Sequence, residues 1–517
     1  MPAMQPVSEC HDPRIILTGY EKQVQLRNTG LMNASTVSAN RLTRDLAQWR
    51  DGGQRPRPAF RALAERISVL AQDGRLPVGV ALPGERDLAA AVDVSRTTVA
   101  AAYSLLRERG YLDSRQGARS TVCLPEDVVG GSAGSRFGPF GDGDSGIVDL
   151  SFAAPAALPA VGVAYREALD LLPEHLAGHG LSVVGIPRLR RAVADRYTAR
   201  GVPTRPEQIL ITHGAQQAMT LVIGVFTAPG DRVLVEHPTY PHTIEAITTA
   251  GGRVAPVPLI TEGGTAGWDL DGIGAAVRQL APSLAYLLLD HHNPTGLMLD
   301  EAGRRAIAAL GRSARMTVVV DESLADLTLD GSPAPAMATF GPAISIGSAS
   351  KVMWGGLRIG WIRADEATIL RLATARAPRD LGAPPLEQLV TALLLEEADQ
   401  LVAERLDQLR PQRAALIDAM TSQLPQWRWV NAPGGLSVWA QLPLPVSSRL
   451  AAVAADYGVA LTAGPRFGVN GAFEHHVRLP YVHEPERLRQ AVAGLSAAYR
   501  TVTAGAGATL REPAVMV

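Results

Sequence analysis

The stretch ISIGSASKVMWGGLRIGW, residues 344–361, constrains this chain more than any other. A short apolar run ends in small residues, meets Lys351, turns at Gly355-Gly356 and reaches Arg358. Of the 49 lysines and arginines only Lys22 and Lys351 are lysine, so 49 − 2 = 47 are arginine. A chain that otherwise draws its positive charge from arginine has set a lysine among glycine, serine and alanine. A lysine amine sheds its proton when desolvated and then attacks a carbonyl; a guanidinium does not. Alone, Lys351 reads equally well as a solvated surface residue. Its flanks weigh against that, because Ser348, Ser350 and Arg358 have the character of anion ligands around an amine nucleophile. An apolar run followed by such residues is the pattern of open α/β sheets, where ligands collect outside the carboxyl ends of strands.

The surrounding chain has that pattern. From Ile147 to about Arg500, apolar strand-like runs alternate with helical ones, the signature of an α/β domain with a mainly parallel sheet. Three more of these runs end in residues with chemistry. QILITHGAQQAM puts Gly214, Ala215 and Gln216 at the opening of a helix, where bare amides and the positive helix end hold an anion. LAYLLLDHHNPTG places Asn293 in a turn before Pro294, and MTVVVDES ends a buried strand on Asp321. Singly each has a plain alternative, since Asn-Pro-Thr-Gly is a good turn and aspartate at a strand end is a common helix cap. In this order, and with Lys351, coincidence is a poor account.

These segments resemble the fold-type I pyridoxal phosphate (PLP) enzymes, the aminotransferase family, over roughly residues 150–500. The resemblance implies PLP as cofactor, with Lys351 as its Schiff-base lysine and Asp321 paired with the pyridinium nitrogen. Asn293 would bind the 3-hydroxyl oxygen, and Gly214, Ala215, Ser348 and Arg358 the phosphate. Tyr240, in VLVEHPTYPH, matches the aromatic that stacks on the ring. Arg478, in HHVRLPY, matches the arginine that clamps a substrate or effector carboxylate. Two departures stand out. Ser323 and Leu324 occupy the place of a tyrosine that follows the aspartate in the family. Gly180, in HGLSVVGIPRLR, stands where another tyrosine crosses to the partner's site. Loss of both hydroxyls leaves the cofactor anchors in place and weakens control of proton transfer.

The N-terminal region differs in kind. Residues 41–124 hold 14 arginines against 9 acidic residues, a net of 14 − 9 = +5, which leaves −6 for the rest of a chain whose net charge is −1. A basic module on an acidic body points to a polyanionic partner. The spacing predicts a helix over Phe60–Ala71 with Phe60, Leu63, Ile67, Leu70 and Ala71 on one stripe. A second helix opens at Pro83–Glu85 with its proline in the first turn. Ser95 caps a third over Arg96–Arg109, ended by Gly110. Two extended runs around Gln116-Gly117 follow. This is a helix-turn-helix with a wing, whose second helix presents Arg96, Thr97 and Thr98 to base edges. Arg86, Ser95, Arg115 and Arg119 are the remaining candidate DNA contacts. The string LPGERDLAAAVDVSRTTVAAAYSLLRERGYLDSRQG resembles the winged helix-turn-helix of the GntR family of bacterial repressors, apart from Gly117-Ala118-Arg119 at the wing tip.

The expected organisation is multidomain. Residues 1–40 are a disordered extension, 41–124 an all-α/winged helix-turn-helix DNA-binding domain, and 125–146 a flexible glycine-rich linker. Residues 147–500 form the α/β fold-type I aminotransferase-like domain with a small α+β C-terminal subdomain, and 501–517 a tail. Two cysteines without metal-ligand spacing, no signal peptide and no apolar run near the roughly 20 residues of a membrane span give the expectation of a cytoplasmic protein without metal. The pairing of domains resembles the MocR (GabR-like) regulators. It implies a homodimer that binds a double-stranded operator and senses PLP or an amine or amino-acid effector through Lys351. The alternatives are an active aminotransferase carrying a DNA-binding domain, and a plain repressor whose large domain only dimerises.

Overall fold

The computed structural model describes residues 36–46, 58–72, 75–76, 78–113, 119–123, 146–260 and 266–504. Arg115, the wing turn, nearly all of the expected linker, residues 1–35 and residues 505–517 lie outside the described residues.

The N-terminal module has its own core. Its helices are Ala39–Leu46, Ala59–Gln72, Glu85–Ala91 and Arg96–Glu108. The expected stripe of the second is buried at Leu63, Ile67, Leu70 and Ala71, with Phe60 half-covered. Leu88 and Val92 close against Val99, Tyr103 and Leu106 of the last helix. Ser95 caps that helix, its Oγ accepting from Thr98 N at 3.1 Å. β1 (Leu112–Asp113) and β2 (Thr121–Val122) pair antiparallel as the root of the wing. Two expectations are corrected. Pro83 stands outside the helix, one residue before the cap Gly84, because its carbonyl accepts from the Tyr103 hydroxyl at 2.9 Å. Residues 36–40 are ordered, since Thr36 bridges to Ala81 and Val37 is buried in the module's core.

The large domain begins with β3 (Val148–Leu150). Its main sheet is built from β4 (Ile209–Thr212), β5 (Arg232–His237), β6 (Arg253–Ile260), β7 (Gly267–Trp268), β8 (Leu284–Leu287), β9 (Thr317–Asp321), β10 (Ile344–Ser348) and β11 (Gly360–Arg363). The order is β4-β11-β10-β9-β8-β5-β6-β7. Neighbours from β10 to β6 are parallel; β11 and the edge strand β7 run against them. β4 and β8 are buried at every residue, as strands covered on both faces must be, which is why they read as unbroken apolar runs. A second sheet of β12 (Arg428–Trp429), β13 (Ser437–Gln441), β14 (Val459–Ala463) and β15 (His476–Pro480) takes in β3, in the order β12-β13-β15-β14-β3. This is the expected α+β subdomain, and β3 brings residues 149–156 back to the face of the main sheet. The final helix, Pro485–Thr503, packs against β3 and β14 and buries Val502, so it extends past the expected boundary at residue 500. Among the described residues no helix is long and apolar enough to cross a membrane.

Candidate cofactor site and nucleic-acid interface

The carboxyl ends of β4, β5, β8, β9 and β10 converge, and each delivers one of the residues singled out above. β9 ends on Asp321. Its Oδ2 accepts from the Tyr286 hydroxyl at 2.8 Å and its Oδ1 from Ser323 N at 3.0 Å, so the carboxylate is held from two sides. Complete burial and the neighbouring carboxylate push the Tyr286 phenol well above its ordinary range, which keeps it a donor. β10 ends on Ser348, and three residues on, Lys351 Nζ donates to the carbonyl of Ala153 at 2.8 Å. Burial, then Arg478 and Arg358, lower the Lys351 amine to about 8 against the pull of Asp321. That is the direction a nucleophilic amine requires.

The anion cup forms where β4 meets β11. Helix Gly214–Phe226 starts directly after β4; its cap residue His213 makes no side-chain cap hydrogen bond and its first turn has no acid, so the positive helix end faces the cup without a capping carboxylate of its own. Gly214 has φ +74°, and a Cβ there would stand 2.9 Å from Arg358 Nη2. Gly360 of β11 lies so close that its Cβ would meet Ala215 N at 2.7 Å. Arg358, itself at φ 51°, donates to the carbonyls of His213 and Gly355 at 3.3 Å each. Ser348 Oγ accepts from Ser350 N at 3.1 Å. The glycines thus hold open a cradle between bare amides, a guanidinium and a hydroxyl, which fits the phosphate of PLP.

Tyr240 caps helix Pro241–Thr249, its hydroxyl donating to Gln216 Oε1 at 3.2 Å; burial, then nearby Asp321, raise its phenol to about 12. Arg478 of β15 is buried and donates to Asn293 Oδ1 at 3.4 Å and to the carbonyl of Ser151. Its Nε has no hydrogen-bond partner. A buried guanidinium with an unused N–H is costly and suited to an incoming carboxylate. With Asn293 Oδ1 engaged by Arg478, its Nδ2 is the end left to donate. Ser323 Oγ is also buried without a partner.

Sequence reasoning missed Tyr286, the bond from the Tyr240 hydroxyl to Gln216, and the carbonyls of Ser151 and Ala153. Tyr286 left one signal: it is the single polar-tipped residue in the apolar run Leu284–Leu289 that leads to Asn293. The backbone carbonyls left none.

On the N-terminal module Arg86, Arg96, Thr97 and Arg119 are exposed and Thr98 is half-buried. Arg96 Nε pairs with Glu85 at 3.2 Å, a surface contact worth about 0–1 kcal/mol that DNA can displace. Ser95 Oγ is engaged by Thr98 N and by the Thr97 and Thr98 hydroxyls at 2.7 and 2.8 Å, so its first role is to shape the helix start.

A winged helix-turn-helix beside an α/β layer with an amine, a strand-end carboxylate and an anion cup defines a DNA-binding regulator joined to an aminotransferase-like domain. The chain belongs to the aminotransferase class I and II family, matched over residues 159–495, and carries at residues 59–122 a domain of the bacterial regulatory proteins of the gntR family, the organisation of the MocR-type regulators. The HTH-type transcriptional regulator YisV of Bacillus subtilis is 28% identical over 433 residues, 78% of this chain and 88% of YisV. The probable rhizopine catabolism regulatory protein MocR of Rhizobium meliloti is 28% identical over 331 residues, 59% of this chain and 65% of that protein. The structure of LysN, the α-aminoadipate aminotransferase of Thermus thermophilus, complexed with N-(5'-phosphopyridoxyl)-L-leucine, is similar with a TM-score of 0.64 at 28% identity, covering 70% of this chain and 94% of that one.

Proposed function

We propose that the chain is a PLP-dependent transcription regulator that reads a double-stranded operator and senses PLP, or an amine or amino acid that joins it, at Lys351. One observation carries the reading: the only lysine among the described residues lies in the cofactor site, its amine lowered to about 8. PLP supplies an aldehyde that couples covalently with primary amines, and an electron-withdrawing ring. The protein's part is to hold and orient. Gly214, Ala215, Ser348 and Arg358 take the phosphate and Asp321 the ring nitrogen. Asn293 takes the phenolic oxygen, Tyr240 covers the ring, and Arg478 takes an effector carboxylate through its unused N–H.

Sensing is favoured over turnover because Ser323, Leu324 and Gly180 stand where the family's two tyrosines would control protons. Exposed Leu169, Leu176 and Leu181, on helix Pro159–Leu171 and the segment after it, support a homodimer that brings two reading modules to one operator. A protein with this role works in the cytoplasm. Ligand occupancy then shifts the population between two arrangements of the modules, with a coupling of about 1–3 kcal/mol.

The test is an operator titration by fluorescence anisotropy, with and without PLP and a panel of amino acids. Wild type should change affinity with ligand, Lys351→Ala should bind operator without responding, and Arg478→Ala should lose only the response to carboxylate-bearing ligands. Borohydride reduction followed by peptide mapping should place the PLP adduct on Lys351. An adduct on Lys22, or equal operator binding in every ligand state, defeats the reading; steady conversion of amino acid to keto acid then makes the chain a working aminotransferase.

A further inference from the structure

The loop before β15 carries an acid that neither the cofactor site nor the DNA surface uses. Glu474 is 12% exposed at its side chain and accepts from Arg66 Nη2 at 2.6 Å and Arg75 Nη2 at 3.4 Å, both from the DNA-reading module. On its own side it accepts from Ser448 N at 3.1 Å, Ser448 Oγ at 2.8 Å and Ser447 Oγ at 3.2 Å. Arg75 Nη2 also reaches Ser448 Oγ at 2.9 Å, and Arg66 Nε donates to the carbonyl of Leu46 at 3.2 Å. The first two helices of the module are therefore tied to one half-buried carboxylate. The loop tip lies beneath them, for a Cβ at Gly471 would stand 3.6 Å from Arg75 Nη1 and 3.8 Å from the carbonyl of Arg44. Burial alone would raise this acid, yet Arg66 and Arg75 hold it below its ordinary value, so it is ionised and its pairing matters.

The same loop is fastened to the cofactor site. Phe473 packs its ring 4.6 Å from that of His237, and His237 Nε2 accepts from Val469 N at 3.1 Å. Thr239 N donates to the carbonyl of Phe467 at 2.8 Å, one residue before Tyr240. The Arg478 guanidinium lies over the Phe467 ring at 5.1 Å. There is no slack between these groups, because a Cβ at Gly468 would fall 2.6 Å from the Phe473 ring and 2.9 Å from His237 Nε2. A close-packed segment transmits a displacement instead of absorbing it. Residues 467–474 thus join two walls of the cofactor site at one end and the reading module at the other.

We propose that Glu474 is the latch through which occupancy of the cofactor site sets the position of the DNA-reading module. A ligand that engages Tyr240 or Arg478 moves residues 467–474 and, with them, the carboxylate that docks Arg66 and Arg75. Paired and unpaired states of this half-buried carboxylate are discrete, which gives the joint the two arrangements a switch needs. The latch rests on the sensing reading above.

The experiment uses the full chain loaded with PLP and compares wild type with Glu474→Gln, and independently with the double variant Arg66→Gln, Arg75→Gln. Operator affinity is read by anisotropy in each ligand state, and hydrogen exchange is followed at residues 36–76 and 467–474. Wild type should shift its operator affinity about fivefold or more between ligand states, whereas both variants should bind PLP and operator with a shift under about twofold. Ligand should alter exchange at both segments in wild type and at residues 467–474 alone in the variants. If the variants shift as far as wild type, the latch is refuted and sensing stands. If wild type does not shift, the sensing reading falls and the latch falls with it. Should Glu474→Gln lose PLP, the arginine pair decides by the same criteria.

Discussion

Replacing Gly214 by alanine isolates the anion cup. The new Cβ would stand 2.9 Å from Arg358 Nη2 and 3.4 Å from its Cζ, so the guanidinium must move off the site it shares with the helix start. Alanine also enters a left-handed conformation at φ +74°, which costs about 1–2 kcal/mol of stability. The second cost falls on folding; the first falls on phosphate binding. A hydrogen bond to a charged group contributes about 1.5–3 kcal/mol, so Gly214→Ala should weaken PLP binding roughly ten- to 150-fold. Gly201→Ala is the control: its φ is +82° and a Cβ there meets nothing within 4 Å, so it has the strain without the collision. PLP is titrated into each apoprotein and followed by absorption, with thermal denaturation alongside. Both variants should melt lower, and only Gly214→Ala should lose affinity. Equal affinity in the two variants would mean that the phosphate does not sit between Gly214 and Arg358.

Four further outcomes follow from other parts of the molecule. With its amine lowered to about 8 from 10.5, Lys351 is neutral in about one molecule in ten at pH 7, against about one in 3000 for an ordinary lysine. Capture of PLP by apoprotein, timed by stopped-flow absorption, should therefore speed up with pH and level off above about 8; a rate still climbing tenfold per unit at pH 9.5 contradicts this. Between pH 8 and 10.5 the unfolded chain keeps that proton while the native one does not, so this group makes apoprotein stability rise with pH through that window. Asp290 pairs with the fully buried Arg304 at 2.7 Å just ahead of the Asn293 turn, so Asp290→Ala should cost about 3–5 kcal/mol in denaturant titration by stranding a buried charge. Arg96→Ala should cost about 1–3 kcal/mol at one operator position, whereas Arg119→Ala should weaken all sequences alike and lower the salt slope by about one; identical profiles across a randomised operator library would overturn that division.

The alternation of apolar strand runs and helical patterns was readable because β4, β8 and β10 are buried on both faces and tolerate few polar residues. Gly214, Asn293, Asp321 and Lys351 were readable because each directly follows such a run. The reversal of β11 was not, since it is set by a tight return in which Ala349 N donates to the carbonyl of Ile359, visible in sequence only as a Gly-Gly turn. Residues 36–40 were misjudged because Thr36 and Val37 find their partners at Ala81, far along the chain. Arg66, Arg75 and Glu474 carry no local sequence signal, since charges on helix faces and loops are mostly solvated. Their burial is a property of two domains meeting, which local patterning does not encode.

The pairing of β4 with β11 has a consequence for how the molecule is made. Gly360 aligns with Thr212, a separation of 360 − 212 = 148 residues, and this register sets Gly214 against Arg358. Contacts so distant in sequence carry a large loop-closure entropy and form late, after the locally connected strands β8, β9 and β10. During synthesis Asp321 and Lys351 emerge ahead of β11, and the anion cup closes only when β11 inserts between β10 and β4. A partly made chain therefore has its reactive amine without the pocket that retains the cofactor. Tight capture of PLP becomes one of the last events of maturation, and a loaded molecule is one whose central sheet is complete.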